Sequence, residues 1–300
     1  MVDGQKSNLY NCFENSLRDL RNLYSRNVVS VITKLFMDCF LEVAEKGDRE
    51  VEGYITKFSR FVVEKLYEEF KCSNIQGHLQ QVSSYLETVY NELASIFDSV
   101  VMFKLVLQSR LSVGTRNPLL PLEISVEWDP ILNVPYIPSS TLKGAVRAYL
   151  ELNNVRDVDG VATEAIFGSS PGSRQLKPGL VVFTDAYPVA CGMQTKSLLD
   201  PDIITPHYRE ASGCIDETCV KPTPLAFPTL ARGVELRFVM AIDSGCSETR
   251  EKCVLSLNTI MKIVEYVRRA LEKGVGAKTS VGYGRIKAEI AKQNTAPKKM

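Results

Sequence analysis

Between Gly274 and Arg285 the chain reads GVGAKTSVGYGR, with four glycines, Lys278, Thr279, Ser280 and Arg285 inside twelve residues. Glycine lets a backbone come close to a ligand because it carries no Cβ. Free amides interleaved with a lysine and an arginine suit an anion, phosphate above all. Two nucleotide motifs fail here. A Walker A loop needs GxxxxGK[ST] running from strand to helix, whereas Ala277 precedes Lys278 and a helical pattern precedes the loop. The fingerprint GxGxxG of dinucleotide sites fails because Thr279 stands where the third glycine belongs. What remains is a segment lying along a polynucleotide backbone, set against the plainer reading of a solvated turn.

A second stretch, YIPSSTLKGAVRAYLEL (136–152), reads as a helix entry. Pro138 disfavours helix before it, and Ser139 or Ser140 can cap the first orphan amides. Leu142, Val146, Tyr149 and Leu150 give the helix one apolar face, while Lys143 and Arg147, four apart, share a polar one. Gly144 sits within it, where glycine costs about 1 kcal/mol relative to alanine. Such a glycine points to another backbone passing close by.

Other candidates for chemistry are sparse. His207, in ITPHYRE with Tyr208 and Lys196 nearby in sequence, is the one candidate general acid or base. Acid–base cleavage needs a second positioned group, so a hydrogen-bonded loop histidine is the plainer reading. Asp185, Asp200 and Asp202 could serve a metal, but aspartates so placed more often cap turns. Eight cysteines form no CxxC pair, the nearest being Cys214 with Cys219 and Cys246 with Cys253; with only His78 and His207 beside them they do not make a zinc site. Most are read as buried apolar residues, with disulfides left open for a source whose cytosol tolerates them. No metal and no cofactor is expected.

Composition bounds the partners. The 300 residues carry 36 Lys and Arg against 35 Asp and Glu, a net charge of +1, so no global basic field exists. A nucleic-acid site must then be a local patch or be shared with partner subunits. Apolar content of 45% with 24% charged residues describes a globular chain. No apolar run reaches the roughly 20 residues that span a bilayer, and MVDGQKSNLY lacks a signal-peptide layout. The expectation is a cytoplasmic protein without membrane contact.

The elements that must position these residues divide near residue 100. From Ser7 to Ser99 apolar residues recur at helical spacing in four stripes, 9–23, 28–43, 54–66 and 79–96, which predict four helices packed as a bundle. Beyond, VMFKLVLQSRLSV, GLVVFTDAYPV and VELRFVMAI read as strands, residues 254–272 as an amphipathic helix, and VGYGRIKAEIA as a closing strand. The order is β-α-β-β-α-β with a loop-rich insertion at 190–232. The fold class is α+β: a ferredoxin-like (RRM-like) domain over 100–290, a helical region over 1–99 before it and a tail over 291–300.

YIPSSTLKGAVRA and GVGAKTSVGYGR together resemble the paired signatures of the RAMP superfamily of CRISPR RNA-binding proteins. EAIFGSS, LVVFTDAYPV, DIITPHY and PTPLAF narrow the likeness to the family of sixth subunits of type III-B Cmr effector complexes, over roughly residues 100–290. One departure stands out: Ser139 replaces the usual glycine of the IPGSSLKG-like segment. The resemblance implies a non-catalytic ribonucleoprotein subunit whose partners are guide RNA, target RNA beside it, and other Cmr subunits. It implies RNA contact by Ser139, Ser140, Lys143, Arg147, Gly274, Gly276, Lys278, Thr279, Ser280, Gly282, Gly284 and Arg285. The competing readings are a metal-independent endoribonuclease using His207, and a protein adaptor that touches no RNA.

Overall fold

The computed structural model describes residues 8–16, 20–45, 53–169, 177–205, 224–245 and 254–294. The chain forms two compact units, each assembled from three separate stretches.

The first unit comprises Met1–Ile75, Ser112–Pro135 and Lys196–Ala231. It contains helices α1 (Asn8–Asn15), α2 (Val28–Glu45) and α3 (Tyr54–Glu69). Among the described residues the stripe over 9–23 yields the short α1 and a 3-10 turn at Leu23–Ser25, which Asn22 enters in a left-handed conformation at φ 55° that a helix cannot propagate. Cys12 is bonded to Cys39, which ties α1 to α2. Cys72 and Cys191 are also disulfide-bonded, so the described cysteines are cross-links rather than the buried apolar thiols expected. Phe13 stacks on Phe61 at 4.8 Å, and Phe36 meets Tyr54 and Phe58 edge-on, giving these helices an aromatic core.

Asn133 joins a distant strap to this helical core. It lies in a turn between two short strands, β2 (Trp128–Asp129) and β3 (Val134–Pro135), buried and left-handed at φ 53°. Its Oδ1 accepts from the Val28 amide, capping α2, and from the Trp128 indole. Its Nδ2 donates to the carbonyls of Leu23, Tyr24 and Arg26.

The second unit comprises Gln76–Leu111, Tyr136–Thr195 and Arg232–Met300. Its centre is an antiparallel sheet of β1 (Ser99–Leu107), β6 (Val181–Phe183), β7 (Tyr187–Ala190), β10 (Glu235–Ile242) and β11 (Ile286–Asn294), ordered β11-β1-β10-β6 with β7 also paired to β10. The closing strand thus continues to Asn294, past the expected end of the domain. Outside this sheet, β4 (Asp157–Val158) pairs with β5 (Val161–Ala162), and the short helix α6 (Thr163–Phe167) follows. GLVVFTDAYPV forms two strands because Thr184 and Asp185 break it. The Thr184 hydroxyl accepts the Val239 amide, and Asp185 turns away to another element.

Helices α5 (Ser139–Leu152) and α7 (Leu257–Glu272) cover one face of the sheet with Leu142, Val146, Ile263, Val264 and Val267, all buried. Beneath them Phe103, Phe238 and Phe183 stack across three strands at 4.9 and 5.8 Å. The other face carries Val100, Met102, Val239 and Ala241, also buried. Over it lies α4 (Cys72–Ile96), whose Glu87 pairs with Arg237 and Lys292 and whose Tyr90 ring receives the Lys292 ammonium. The fourth apolar stripe therefore serves the sheet from Gln76 onward, and the expected four-helix bundle does not form. Between β7 and β10 the insertion contributes a hairpin to the first unit, β8 (Leu199–Ile204) with β9 (Leu225–Leu230), against which α3 packs.

Replacing Asn133 by alanine orphans a helix-capping amide, an indole and three carbonyls at once. Asn133→Ala is expected to lower unfolding stability by about 2 kcal/mol or more, since each stranded buried group costs about 1–3 kcal/mol. Urea titration of the full chain checks this, and an unchanged midpoint would show the network to be dispensable.

Candidate functional site

The glycine segment connects α7 to β11. Its four glycines all take left-handed φ: Gly274 at 123°, Gly276 at 86°, Gly282 at 97° and Gly284 at 65°. Lys278 joins them at φ 59°, unusual for a side chain with a Cβ, and it opens a 3-10 turn over Thr279–Val281. The loop is closed by the Val275 amide donating to the Gly284 carbonyl at 3.1 Å and by the Tyr283 amide reaching the Lys278 carbonyl at 3.2 Å. Gly284 is irreplaceable on steric grounds, because a Cβ there would stand 1.9 Å from the Val275 carbonyl oxygen. Gly276, Thr279, Ser280 and Arg285 are exposed, and Lys278 lies with its ammonium 5.6 Å from the Tyr283 ring centroid. The segment is a shaped loop with amides and cations on its surface, not a floppy connection.

Sequence reasoning missed a strand of chain that supports it. Gly284 donates to the Arg110 carbonyl at 2.8 Å, Arg285 donates to Ser109 Oγ at 3.0 Å, and Gln108 donates to the Arg285 carbonyl at 2.8 Å. These contacts arise from the pairing of β1 with β11, 180 residues apart in the chain, so nothing local in the sequence marks them.

The other candidates behave differently. Ser139 begins α5, yet neither it nor Ser140 caps the helix. Asp185, delivered by the break between β6 and β7, accepts the Ser139 amide at 2.6 Å. A carboxylate at a helix N-terminus satisfies an orphan donor and complements the macrodipole. Lys143 donates to the Val181 carbonyl at 3.1 Å. Thr184 bonds Val239 and Asp243 bonds Leu180, a ladder alternation that turns the Val181 carbonyl outward on this edge of the sheet. Lys143 thus caps an edge acceptor, and burial, with Arg147 one turn along, lowers its ammonium below the ordinary lysine value. Arg147 donates to the Gly168 carbonyl. Gly144 has open space where a Cβ would go, so no backbone passes close to it.

The opposite edge is treated in a related way: Glu272 accepts the outward Ala288 amide of β11, at a long 3.4 Å. Both devices blunt edges that would otherwise template a further strand.

Register separates the predicted residues into two places. Val181 pairs with Ile242 at one end of β10, whereas the glycine segment sits level with Glu235 at the other. At the rise of a strand, that distance is about 20 Å. Ser139 falls nearer the glycine segment than Val181 does, since its acceptor Asp185 lies two residues before Tyr187, which pairs with Arg237. Asp200 and Asp202 belong to the first unit, where the Asp202 carboxylate accepts the Ile203 amide. Among the described residues no group of three or more His, Cys, Asp or Glu is placed to hold a metal ion, and no helix is long and apolar enough to cross a membrane. His207 lies outside the described residues.

Comparison with known proteins agrees with this architecture. The family model described as RAMP superfamily matches residues 118–287. A CRISPR system CMR subunit Cmr6 of Saccharolobus solfataricus is 30% identical over 237 residues, covering 78% of this chain and 72% of that protein. A CRISPR system Cmr subunit Cmr6 of Pyrococcus furiosus is 26% identical, covering 77% of this chain and 79% of that protein. A chain in the cryo-EM structure of the type III-B Cmr-beta complex bound to cognate target RNA superposes with a TM-score of 0.65 at 26% identity, over 95% of this chain and 97% of that one.

The last two glycines of the loop, Gly282 and Gly284, allow a controlled test of its geometry. A Cβ at Gly282 meets nothing within 4 Å, so Gly282→Ala bears only the left-handed strain of about 1–2 kcal/mol. Gly284→Ala adds a backbone clash and is expected to cost about 3 kcal/mol or more. Chemical unfolding of both variants measures the difference, and equal losses would contradict the observed closure.

Proposed function

The chain belongs to the RAMP superfamily, and on that premise we propose that it is a non-catalytic, RNA-binding subunit of a type III-B CRISPR (Cmr) effector complex. Its ligand in this reading is guide RNA, and its protein partners are other Cmr subunits. The observation that carries the reading is the glycine segment: five left-handed positions between Gly274 and Gly284 shape a loop whose surface offers Lys278, Thr279, Ser280 and Arg285. Closely approachable backbone amides with cations between them contact phosphates and sugars, which fixes a strand's position without reading its bases. The relatives named Cmr6 and the superposed chain of a Cmr-beta complex support the assembly.

The strand order β11-β1-β10-β6 with helices α5 and α7 on one face supports a ferredoxin-like reading of the second unit. An RRM of that topology stacks bases on its open sheet face. Here α4 lies over that face, so the RNA is assigned to the strand ends and to the start of α5. Within this surface Ser139, Ser140 and the Gly274–Arg285 segment face the ligand. Lys143 and Arg147, engaged by the Val181 and Gly168 carbonyls, act on the fold.

RNA binding by the full chain, measured across a salt series, tests the reading. Lys278→Ala is expected to weaken all RNA sequences alike and to reduce the salt slope by about 0.7, the increment for one phosphate contact on a single strand. Wild-type affinity and slope in the folded variant would remove Lys278 from the interface. Catalysis is tested separately in a reconstituted complex. His207→Ala is expected to leave RNA cleavage unchanged, and a loss beyond about tenfold, or roughly 1.4 kcal/mol of barrier, would make the chain an enzyme.

A further inference from the structure

The end of the sheet that carries the glycine segment carries two more loops, and we propose that Arg110 and Arg232 on them extend the same RNA-backbone site across three strands. The inference rests on the RNA-binding reading above and adds residues that no motif suggests.

Hydrogen bonds fix the order of these loops. Gly284 and Arg285 are held by Arg110 and Ser109 just beyond β1, as described. On the far side of β1, Leu107 donates to the Val234 carbonyl at 3.0 Å, and Gly233 donates back to the Leu107 carbonyl at 2.8 Å. The ends of β11, β1 and β10 therefore place Arg285, Arg110 and Arg232 in succession on neighbouring chain segments. With strands about 4.8 Å apart, the row crosses roughly 10 Å of the sheet end.

The Arg232–Gly233 turn is rigid. Gly233 is left-handed at φ 87°, and a Cβ there would stand 2.4 Å from Thr195 Oγ1. Thr195 Oγ1 donates to the Arg232 carbonyl at 2.9 Å, and the Gly192 amide donates to the Gly233 carbonyl at 2.9 Å. The backbone of Arg232 is thus held on both sides while its side chain is exposed.

Glu235 is bound to Arg237 at 2.8 Å and lies 3.5 Å from Lys104, and Glu272 is bound to Arg268 at 2.9 Å. Neither carboxylate is left for the loops. Among the described residues, Arg232, Lys273 and Arg285 have no acidic partner. In a chain with net charge of only +1, Arg232 and Arg285 thus stand on turns at either side of the β1 end without an acidic partner among the described residues. A row of guanidinium groups at strand spacing fits a polyanion with regularly repeating charges, and guanidinium binds phosphate through paired donors. An acidic protein segment is the competing occupant.

The test is binding of a fluorescein-labelled single-stranded oligouridylate to the full chain across a salt series. Arg232→Ala and Arg110→Ala are each expected to weaken binding severalfold at low salt and to reduce the salt slope by about 0.7. Arg232→Glu should weaken it further, and Arg232→Lys should retain most of it. Unfolding midpoints of all four variants control for folding. If Lys278→Ala weakens binding but Arg232→Glu does not, the extension is wrong and the loop reading stands. If the wild-type chain binds no RNA at low salt, the functional reading falls and the extension with it. If polyglutamate displaces the RNA at equal charge concentration, the site is a general polyanion surface and the assignment to RNA is overturned.

Discussion

The pairing of β1 with β10 organises the second unit. Eight successive positions, from Ser99 opposite Ile242 to Val106 opposite Glu235, fix two strands that are more than a hundred residues apart in the chain. Every other part of the unit takes its place from that pair. β11 adds to the free side of β1, and β6 and β7 add to the free side of β10. Phe103 stacked on Phe238 gives the helices a floor on one face, while Met102 and Val239 give α4 a floor on the other. Closing so long a loop costs chain entropy, but that cost grows only logarithmically with length, whereas each buried rung adds area.

Cations in this chain divide by what they face. Lys143 and Arg147, which the sequence offers as binding residues, donate to an edge carbonyl and a turn carbonyl, and Arg237 pairs with a carboxylate. Among the described residues the Arg232 and Arg285 side chains have no such partner. The difference is one of position on the sheet. A lysine stem lying along a helix beside an edge strand finds an unpaired acceptor within reach, and satisfying that acceptor outweighs leaving the ammonium in water. At the strand ends backbone groups are already closed into turns, so the side chains there point to solvent.

Much of this was legible in the sequence because it depends on local rules. Glycine spacing anticipated the left-handed positions of the 274–285 loop, and the apolar period placed α7 and the strand before it to within a few residues. Three features were not legible, each for a non-local reason. Periodicity shows that residues 79–96 have an apolar face but not what that face covers, and here it covers a sheet. Propensity reads GLVVFTDAYPV as one strand, but the need of α5 for an acceptor at Ser139 makes Asp185 worth a break. The neighbours of the glycine segment, Arg110 and Arg232, are brought there by strand pairing, which no motif encodes.

The helix over the second face of the sheet has a consequence for what such a protein can discriminate. Bases are read where they can be laid flat on aromatic rings or met edge-on by side chains, and a four-stranded sheet offers its broad face for that purpose. With Glu87, Tyr90 and their neighbours occupying one face and α5 and α7 the other, no broad face is left for stacking. For the proposed RNA ligand that leaves turns at the strand ends, which would sense the spacing of charges and nothing about the letters between them. On the proposed RNA-binding function, a chain built this way is a ruler rather than a reader: it would register where along a strand it sits while accepting any message written there.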